Sequence, residues 1–316
     1  MQERSGQAAG VLVVAGTHGN ERNAPWLLEH WQQRPETLAS AGLPLHLVLG
    51  NPAAYACNRR YLERDLNRCF REALLQDPAE QGLDVRRARE LIASHGPKGS
   101  APCGAVIDLH STTSAMGNCL VVYGRRPADL ALAAGIQGRL GLPIYLHEGD
   151  ASQTGFLLEQ WPCGVVIEVG PVPQGVLQAR ICRQTQLGLE AALAVLAAAR
   201  AGTLRLPPEL VVHCHLGSLD VPRRADGSPR ACIHPALQSR DWVPLHDGDP
   251  LFLDADGTVL RFEAEQSGEP PVAVFINEAA YGEKGIALSL TRRQLWSVEE
   301  SWGQALAQVA AGLGLS

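Results

Sequence analysis

Short apolar runs alternate with helical patterns through the first 200 residues. The runs are rich in β-branched residues and lie at 11–16, 44–50, 104–109, 118–123 and 164–169. Nearly continuous apolar runs of this length indicate strands that are covered on both faces. Helical spacing predicts helices near 22–33, 84–95, 127–140 and 174–201. Strands that alternate with helices predict an α/β sheet with helices on both sides.

The pattern changes after Gly202, where Pro207-Pro208 has the composition of a linker. Strand-like segments then follow at 209–216, 250–253, 258–262, 272–276 and 286–290. Turn dipeptides such as Asp256-Gly257 lie between them. We therefore predict two domains, a larger one over 1–203 and a smaller, mostly β domain over 204–316.

Three positions predict where helices begin. Asp84 is expected to cap the second helix, and Pro25 fits the first turn of the first helix, where its missing N–H is harmless. Ser297 and Glu300 have the spacing of a capping box, which predicts a helix in the C-terminal tail.

Composition narrows the classes of function. The chain has 316 residues and a net charge of −6, which makes a broad basic face for nucleic acid unexpected. Residues 2–10 are polar, so no signal peptide is predicted, and no apolar stretch is suited to span a bilayer. The eight cysteines form no C-x-x-C pair and fit buried thiols in a reducing cytosol. We expect a cytoplasmic protein without nucleic-acid or membrane partners, and homo-oligomer formation is left open.

Two strand ends carry candidate metal ligands. The first strand ends in the sequence GTHGNE, which places His18 and Glu21 three residues apart, and His110 closes the run AVIDLH. Loops at the carboxyl ends of strands form the site in a doubly wound sheet. Two histidines and one glutamate leave one zinc position open, as catalytic sites do. We predict one zinc ion per chain, with Asp108 orienting a ligand imidazole. The alternatives to zinc binding are that His18 and Glu21 belong to an ordinary polar loop and that His110 is a hydrogen-bonded histidine at the end of a strand.

A carboxylate and an arginine-rich segment supply further chemistry. Glu168 ends another apolar run, where a carboxylate is costly unless it is paired or functional. A zinc hydrolase needs such a group as its general base, and a buried ion pair is the alternative. Four arginines lie within residues 59–68, which indicates either a solvated face or anion capture. In the second case Arg68 pairs with a carboxylate and Asn67 lies beside it.

The remaining histidines carry weaker signals. His213 and His215 share one face of a predicted strand, but no third metal ligand is near them in sequence. His147 and the other histidines are predicted to be surface or core residues.

Five motifs occur in order over about residues 10–290: GTHGNE, DLNR, DLHSTT, IEVGPVPQGV and NEAAY. Together they resemble the aspartoacylases and the related aminoacylase-3 enzymes, which are zinc-carboxypeptidase-like metallohydrolases. The resemblance implies a zinc-carboxypeptidase-like mixed sheet flanked by helices, with a smaller, mostly β C-terminal domain. It also implies a small-molecule N-acyl amino acid as substrate.

The resemblance implies a role for each matching residue. His18, Glu21 and His110 match the zinc ligands. Glu168 matches the catalytic carboxylate and Arg60 the arginine that polarises the scissile carbonyl. Asn67, Arg68 and Tyr281 match residues that hold the amino-acid carboxylate, and Glu278 matches a supporting glutamate.

One departure concerns specificity. Mammalian aspartoacylases use an arginine shortly before the catalytic glutamate to bind the side-chain carboxylate. Here residues 140–179 contain no Arg or Lys, and Phe156 falls near that place. Arg59, Arg64 and Lys284 are the other candidate cations. N-acetyl-L-aspartate, cleaved to acetate and L-aspartate, is the expected substrate. A deacylase of neutral or aromatic N-acyl amino acids, a catalytically silent zinc or ligand-binding homologue and a metallocarboxypeptidase are the alternatives.

Overall fold

The computed structural model describes residues 9–150, 153–264 and 268–314, so most of the polar segment at 2–10 lies outside these ranges. The strands of the described residues are β1 (Gly10–Ala15), β2 (Leu45–Leu49), β3 (Cys103–Ser111), β4 (Asn118–Tyr123), β5 (Ile144–His147), β6 (Cys163–Val169), β7 (Glu209–Leu219), β8 (Ala231–Ile233), β9 (Pro250–Asp254), β10 (Val259–Arg261), β11 (Val272–Val274) and β12 (Leu288–Ser297). The α-helices are α1 (Asn23–Gln33), α2 (Pro52–Ala56), α3 (Glu72–Gln76), α4 (Leu83–His95), α5 (Pro127–Leu140), α6 (Ala179–Arg200) and α7 (Glu300–Ala311).

A nine-stranded mixed sheet forms the centre of the molecule, in the order β11-β12-β7-β5-β4-β6-β3-β1-β2. Strands β2, β1, β3 and β6 are parallel neighbours, whereas β4 runs antiparallel to β6. A separate three-stranded sheet, β10-β9-β8, lies in the C-terminal part. The predicted class, a mixed sheet flanked by helices with a smaller β-rich part, is confirmed.

Strand β1 explains why its sequence reads as one apolar run. Val11 and Val13 pack into the core that includes Trp31 of α1, while Leu12 and Val14 pack into the opposite core with Leu91 of α4. Both faces of the strand are therefore covered. For this reason its sequence lacks the alternation of apolar and polar residues that a half-exposed strand shows. Full burial of each such side chain stabilises the fold by about 1.5–3 kcal/mol.

Some predicted elements differ from the observed ones. Strand β5 was missed because only four residues, Ile144–His147, pair with their neighbours. Asp84 lies inside α4 and does not cap it, because its carboxylate accepts hydrogen bonds from Asn51 and from the backbone of residues 63 and 64. The capping box is also wrong: Ser297 is paired with Glu209 at the end of β12, and α7 has no side-chain cap.

The C-terminal part contributes to both sheets. Strands β7, β11 and β12 extend the large sheet, and α7 packs against α5 and α6. The predicted boundary between residues 203 and 204 stays a prediction. Within the described ranges, no helix combines the length and the apolar character that a membrane span requires.

Candidate active site

The carboxyl ends of three neighbouring parallel strands bring the candidate catalytic residues together. His18 and Glu21 follow β1, while His110 of β3 is the register partner of Glu168 on β6. The sheet order β6-β3-β1 makes these ends adjacent. Gly19 lies in the same loop, and a Cβ there would come within 2.1 Å of the Ala54 backbone, so the loop packs directly on α2.

One cavity is lined by all eight residues that the sequence selected. They are His18, Glu21, Arg60, Asn67, Arg68, His110, Glu168 and Tyr281. The sequence-based choice of site residues therefore describes a single place in the fold, although the role of each residue stays a prediction.

The carboxylate of Glu21 lies between two imidazoles. Its Oε1 is 2.6 Å from His18 Nδ1, and its Oε2 is 3.1 Å from His110 Nδ1. All three residues are buried, and their candidate ligand atoms lie within 4.8 Å of one another. Two imidazole nitrogens and one carboxylate are a donor set that a catalytic zinc ion uses. The residues therefore fit zinc, with one candidate ligand on β3 and two in the loop after β1.

Two aspartates hold the outer nitrogens of these imidazoles. His18 Nε2 is 3.0 Å from Asp65, and His110 Nε2 is 2.7 Å from Asp108. Asp108 also accepts a hydrogen bond of 2.7 Å from the Thr17 hydroxyl. Carboxylates in this position fix the orientation of metal-binding histidines. This contact fits the role predicted for Asp108. No role was predicted for Asp65, which lies within the arginine-rich segment 59–68.

Charge pairing sets the ionisation of this end of the cavity. Burial raises the pKa of Glu21, but the neighbouring His110 and His18 outweigh it and hold that pKa well below its ordinary value. Burial lowers the pKa of His110, yet the charges of Asp108 and Glu21 raise it well above the usual range. The Glu21 carboxylate is thus held ionised although it is buried.

Glu168 has the opposite environment. Burial raises its pKa well above the ordinary value; His110 opposes this rise, and the charges of Glu21 and Glu278 add to it. The residue remains partly accessible to the cavity. A raised pKa favours the protonated carboxyl group, which is the form that can give a proton to a leaving group.

Arg60 brings a positive charge to the same place. Its guanidinium is 3.2 Å from Asp65 and 3.7 Å from Glu21, and its Nε is buried without a hydrogen-bond partner. Burial lowers the pKa of Arg60, but the charges of Asp65 and Glu21 raise it above its usual value. A free donor therefore remains for a ligand.

Asn67 and Arg68 lie on a 3₁₀ turn whose start is capped by Asp65. The side-chain oxygen of Asn67 accepts a hydrogen bond from the backbone of Leu157, which leaves its amide N–H groups for a ligand. Arg68 donates to the Asn67 carbonyl and, at 2.7 Å, to Gln153. Both side chains are thus oriented before any substrate arrives.

Tyr281 comes from the C-terminal part of the chain. It lies on the 3₁₀ turn Ala279–Lys284, directly after Glu278. Glu278 accepts hydrogen bonds from Thr112 and Thr113 of the loop after β3. This contact fixes the turn against the strand end that carries His110, and it fits the supporting role predicted for Glu278.

The three additional candidate cations occupy different places. Arg59 and Arg64 are exposed, and Arg64 pairs with Glu80 at 3.4 Å. Lys284 lies 3.6 Å from Asp65 and lines a groove that shares Arg68 and Gln153 with the main cavity. Of the three, only Lys284 is close to the site.

On the far side of the cavity, Phe156 was the one residue that the sequence indicated. Phe156 stacks on Tyr123 at 3.7 Å between ring centroids, and the Arg68 guanidinium lies 4.3 Å above its other face. Tyr145 and His147 of β5 complete this wall. Because β5 itself was missed, no sequence signal distinguished His147 from a core histidine.

The chain resembles one family along most of its length. Residues 7–196 match the succinylglutamate desuccinylase/aspartoacylase catalytic domain, and residues 208–293 match the AstE/AspA barrel-sandwich hybrid domain. A "Probable aspartoacylase" of Parasynechococcus marenigrum WH8102 is 58% identical over 95% of this chain and 98% of its own. Another from Prochlorococcus marinus MIT 9313 is 59% identical over 95% and 97%. The crystal structure of murine aminoacylase 3 has a TM-score of 0.82 and 34% identity, covering 94% of this chain and 98% of its own.

Proposed function

The chain belongs to the succinylglutamate desuccinylase/aspartoacylase family, and on that premise we propose that it hydrolyses the amide bond of N-acyl amino acids with one zinc ion per chain. The observation that carries this proposal is the convergence of His18, Glu21 and His110 with Glu168 in one cavity. A general base beside three metal-binding groups is a requirement for metal-assisted hydrolysis. Ligand binding alone does not need it.

The chemistry that a bound zinc ion supplies is polarisation of the carbonyl oxygen and a lowered pKa of water. Glu168 accepts a proton from the attacking water and returns it to the departing amine. Its raised pKa favours the protonated state that lies between these two transfers. Arg60 stabilises the negative charge that develops on the carbonyl oxygen through its free donors. Asn67, Arg68 and Tyr281 hold the amino-acid carboxylate.

N-acetyl-L-aspartate is the first candidate substrate. It is supported by the names of the cyanobacterial relatives and by Lys284, a second cation close to Arg68. Burial and Arg68 lower the pKa of Lys284 to about 8, whereas Asp65 acts against this, so most of the lysine is charged at neutral pH. A dicarboxylate needs such a second cation, because burying a carboxylate unpaired is costly.

N-acyl amino acids with neutral or aromatic side chains are the second candidate. The wall formed by Tyr123, Phe156 and Tyr145 favours them, since these rings offer no charge to a second carboxylate. The similarity to murine aminoacylase 3 also supports a deacylase that is not confined to aspartate.

A panel of N-acetyl amino acids tests the proposal. The zinc-loaded chain is expected to release acetate from at least one N-acetyl amino acid and to leave a blocked dipeptide intact. Zinc content, measured on the same preparation, should be one ion per chain. Zinc binding without acetate release would favour the silent homologue, and dipeptide cleavage would favour the carboxypeptidase.

A cytoplasmic location is part of the proposal. All eight cysteines are free, six of them buried, which fits a reducing compartment.

A further inference from the structure

The cavity continues from Glu168 along one face of the sheet. Val121 of β4 is the register partner of Val166 on β6 and of Tyr145 on β5, and Tyr123 is the partner of His147. These side chains line the same cavity as Glu168. A substrate whose amide lies at Glu168 must therefore place its remaining groups along β4 and β5.

The end of this path is closed by aromatic rings. Both faces of Phe156 are covered, one by Tyr123 and the other by the Arg68 guanidinium. His147 meets the edge of Phe156 at 5.6 Å between centroids and is 6% exposed. The substrate side chain thus meets a wall of aromatic rings in which the Arg68 guanidinium and the His147 ring are polar groups in contact with Phe156.

His147 carries an unused hydrogen-bonding atom into this wall. Its Nδ1 is 3.1 Å from the Tyr145 hydroxyl. Its Nε2 is buried and, among the described residues, makes no hydrogen bond of good geometry, although the Gln153 backbone is near enough to raise the pKa of the ring slightly. Buried polar atoms are nearly always paired, so an unpaired one in a cavity indicates a ligand group that completes it. Burial, together with the nearby His215, lowers the pKa of His147 to about 4, which leaves the ring neutral.

Tyr145 allows Nε2 to act in two ways. Its hydroxyl also lies 2.9 Å from His215 Nδ1, and a hydroxyl has one proton to donate. If Tyr145 donates to His147, the proton of that ring is on Nε2, which then donates into the cavity. If Tyr145 donates to His215, His147 Nε2 accepts. An amide or hydroxyl group can meet either state.

Resting on the function proposed above, we propose that His147 selects N-acyl amino acids whose side chains end in an uncharged hydrogen-bonding group, by pairing with it through Nε2. An apolar side chain leaves Nε2 unpaired. A carboxylate gains only one neutral hydrogen bond at Nε2, because Arg68 is assigned to the amino-acid carboxylate and already binds Gln153, and Lys284 lines the adjoining groove and not this cavity. This choice sharpens the second candidate class.

Three substrates of nearly equal shape test this proposal. N-acetyl-L-asparagine, N-acetyl-L-leucine and N-acetyl-L-aspartate differ in an amide, methyl groups and a carboxylate. The zinc-loaded chain should give a kcat/KM for asparagine about tenfold above leucine and above aspartate, the upper range for one neutral hydrogen bond. His147→Phe keeps an aromatic ring and should bring the asparagine-to-leucine ratio to about one.

Two further variants separate selection from folding. Tyr145→Phe keeps the ring but removes the hydroxyl that holds His147, so the ratio should fall by a smaller factor. His213→Phe is the matched control, because His213 is buried on β7 beside Tyr145 but does not line the cavity. Its ratio should equal that of the unaltered chain, and Tm should be compared for all three variants.

The outcomes distinguish this proposal from the parent function. An asparagine-to-leucine ratio near one in the unaltered chain, or a ratio that survives in a folded His147→Phe, would overturn the role of His147. Preference for aspartate would overturn it as well. If no compound is hydrolysed, the parent function fails, and calorimetric binding of the same three compounds still tests whether His147 discriminates among them.

Discussion

Buried polar groups have different surroundings at the two ends of the cavity, the proposed metal end and the aromatic end. At the metal end, His18, Glu21 and His110 are each matched by an opposite charge or a directed hydrogen bond. At the far end, Tyr123, Phe156 and Tyr145 surround His147 with rings, and its Nε2 has no partner. One end is complete as an electrostatic unit, and the other is incomplete until a ligand arrives.

This difference separates reaction from specificity. The paired groups at the metal end are the ones that we propose to carry out the reaction, and all five motifs concern that end or its support. The aromatic end lies between motifs, on β4, on β5 and at Phe156. A family's reaction is therefore easier to read from sequence than its substrate.

Removal of a proposed metal ligand should have the largest effect. His110→Ala leaves two of the three predicted ligands, and the buried Asp108 carboxylate keeps its contact with Thr17 but loses the imidazole. We expect loss of bound zinc, measured by atomic absorption, and activity reduced to background. His213→Ala is the matched control, since His213 is also a buried strand histidine, and it should keep both. Full zinc occupancy in His110→Ala would remove His110 from the site.

Removal of the proposed general base should have the next largest effect. Glu168→Gln keeps the shape but cannot accept a proton, so kcat should fall by about 10²–10⁴ while zinc stays bound. Glu90→Gln, which alters a surface ion pair with Arg87, should leave kcat unchanged. A near-normal kcat in Glu168→Gln would mean that another group activates the water.

Sequence patterns were sufficient to predict the elements and candidate site residues whose place depends on the local sequence of a strand. Central strands read as apolar runs, and the candidate ligands follow strand ends, so both could be predicted. Strand β5 could not, because four residues between Pro143 and Glu148 leave too short a pattern. The cap predicted at Asp84 failed because long-range hydrogen bonds to Asn51 and the 63–64 backbone outweigh local helix preference. Tertiary contacts of this kind have no local signal.

A change at the boundary of the two ends should have an intermediate effect. Arg68→Lys replaces a planar fork, held by Gln153 and stacked on Phe156, with a point charge. Loss of one charge-assisted hydrogen bond, about 1.5–3 kcal/mol, predicts a decrease in kcat/KM of about 10–100-fold for acidic and neutral substrates alike. Arg64→Lys is the control, because Arg64 is exposed and paired with Glu80. A loss confined to N-acetyl-L-aspartate would instead assign Arg68 to the side-chain carboxylate.

The smallest expected effect concerns stability at the aromatic end. Burial lowers the folded-state pKa of His147 to about 4, against about 6.5 when unfolded, so folding favours the neutral ring. Its contribution is fully present above pH 6.5 and is lost as the pH falls toward 4. Between pH 7.5 and 4.5 the native chain should lose about 2.5 kcal/mol of unfolding free energy that His147→Phe does not lose.

Urea unfolding measures this difference. Metal-free protein is used, because a release of zinc at low pH would itself change the free energy of unfolding. His246→Phe, at an exposed position, should show no such pH-dependent difference from the native chain. A constant gap between native chain and His147→Phe across this range would show that the imidazole is not held neutral, and the contrast between the two ends would then be one of shape alone.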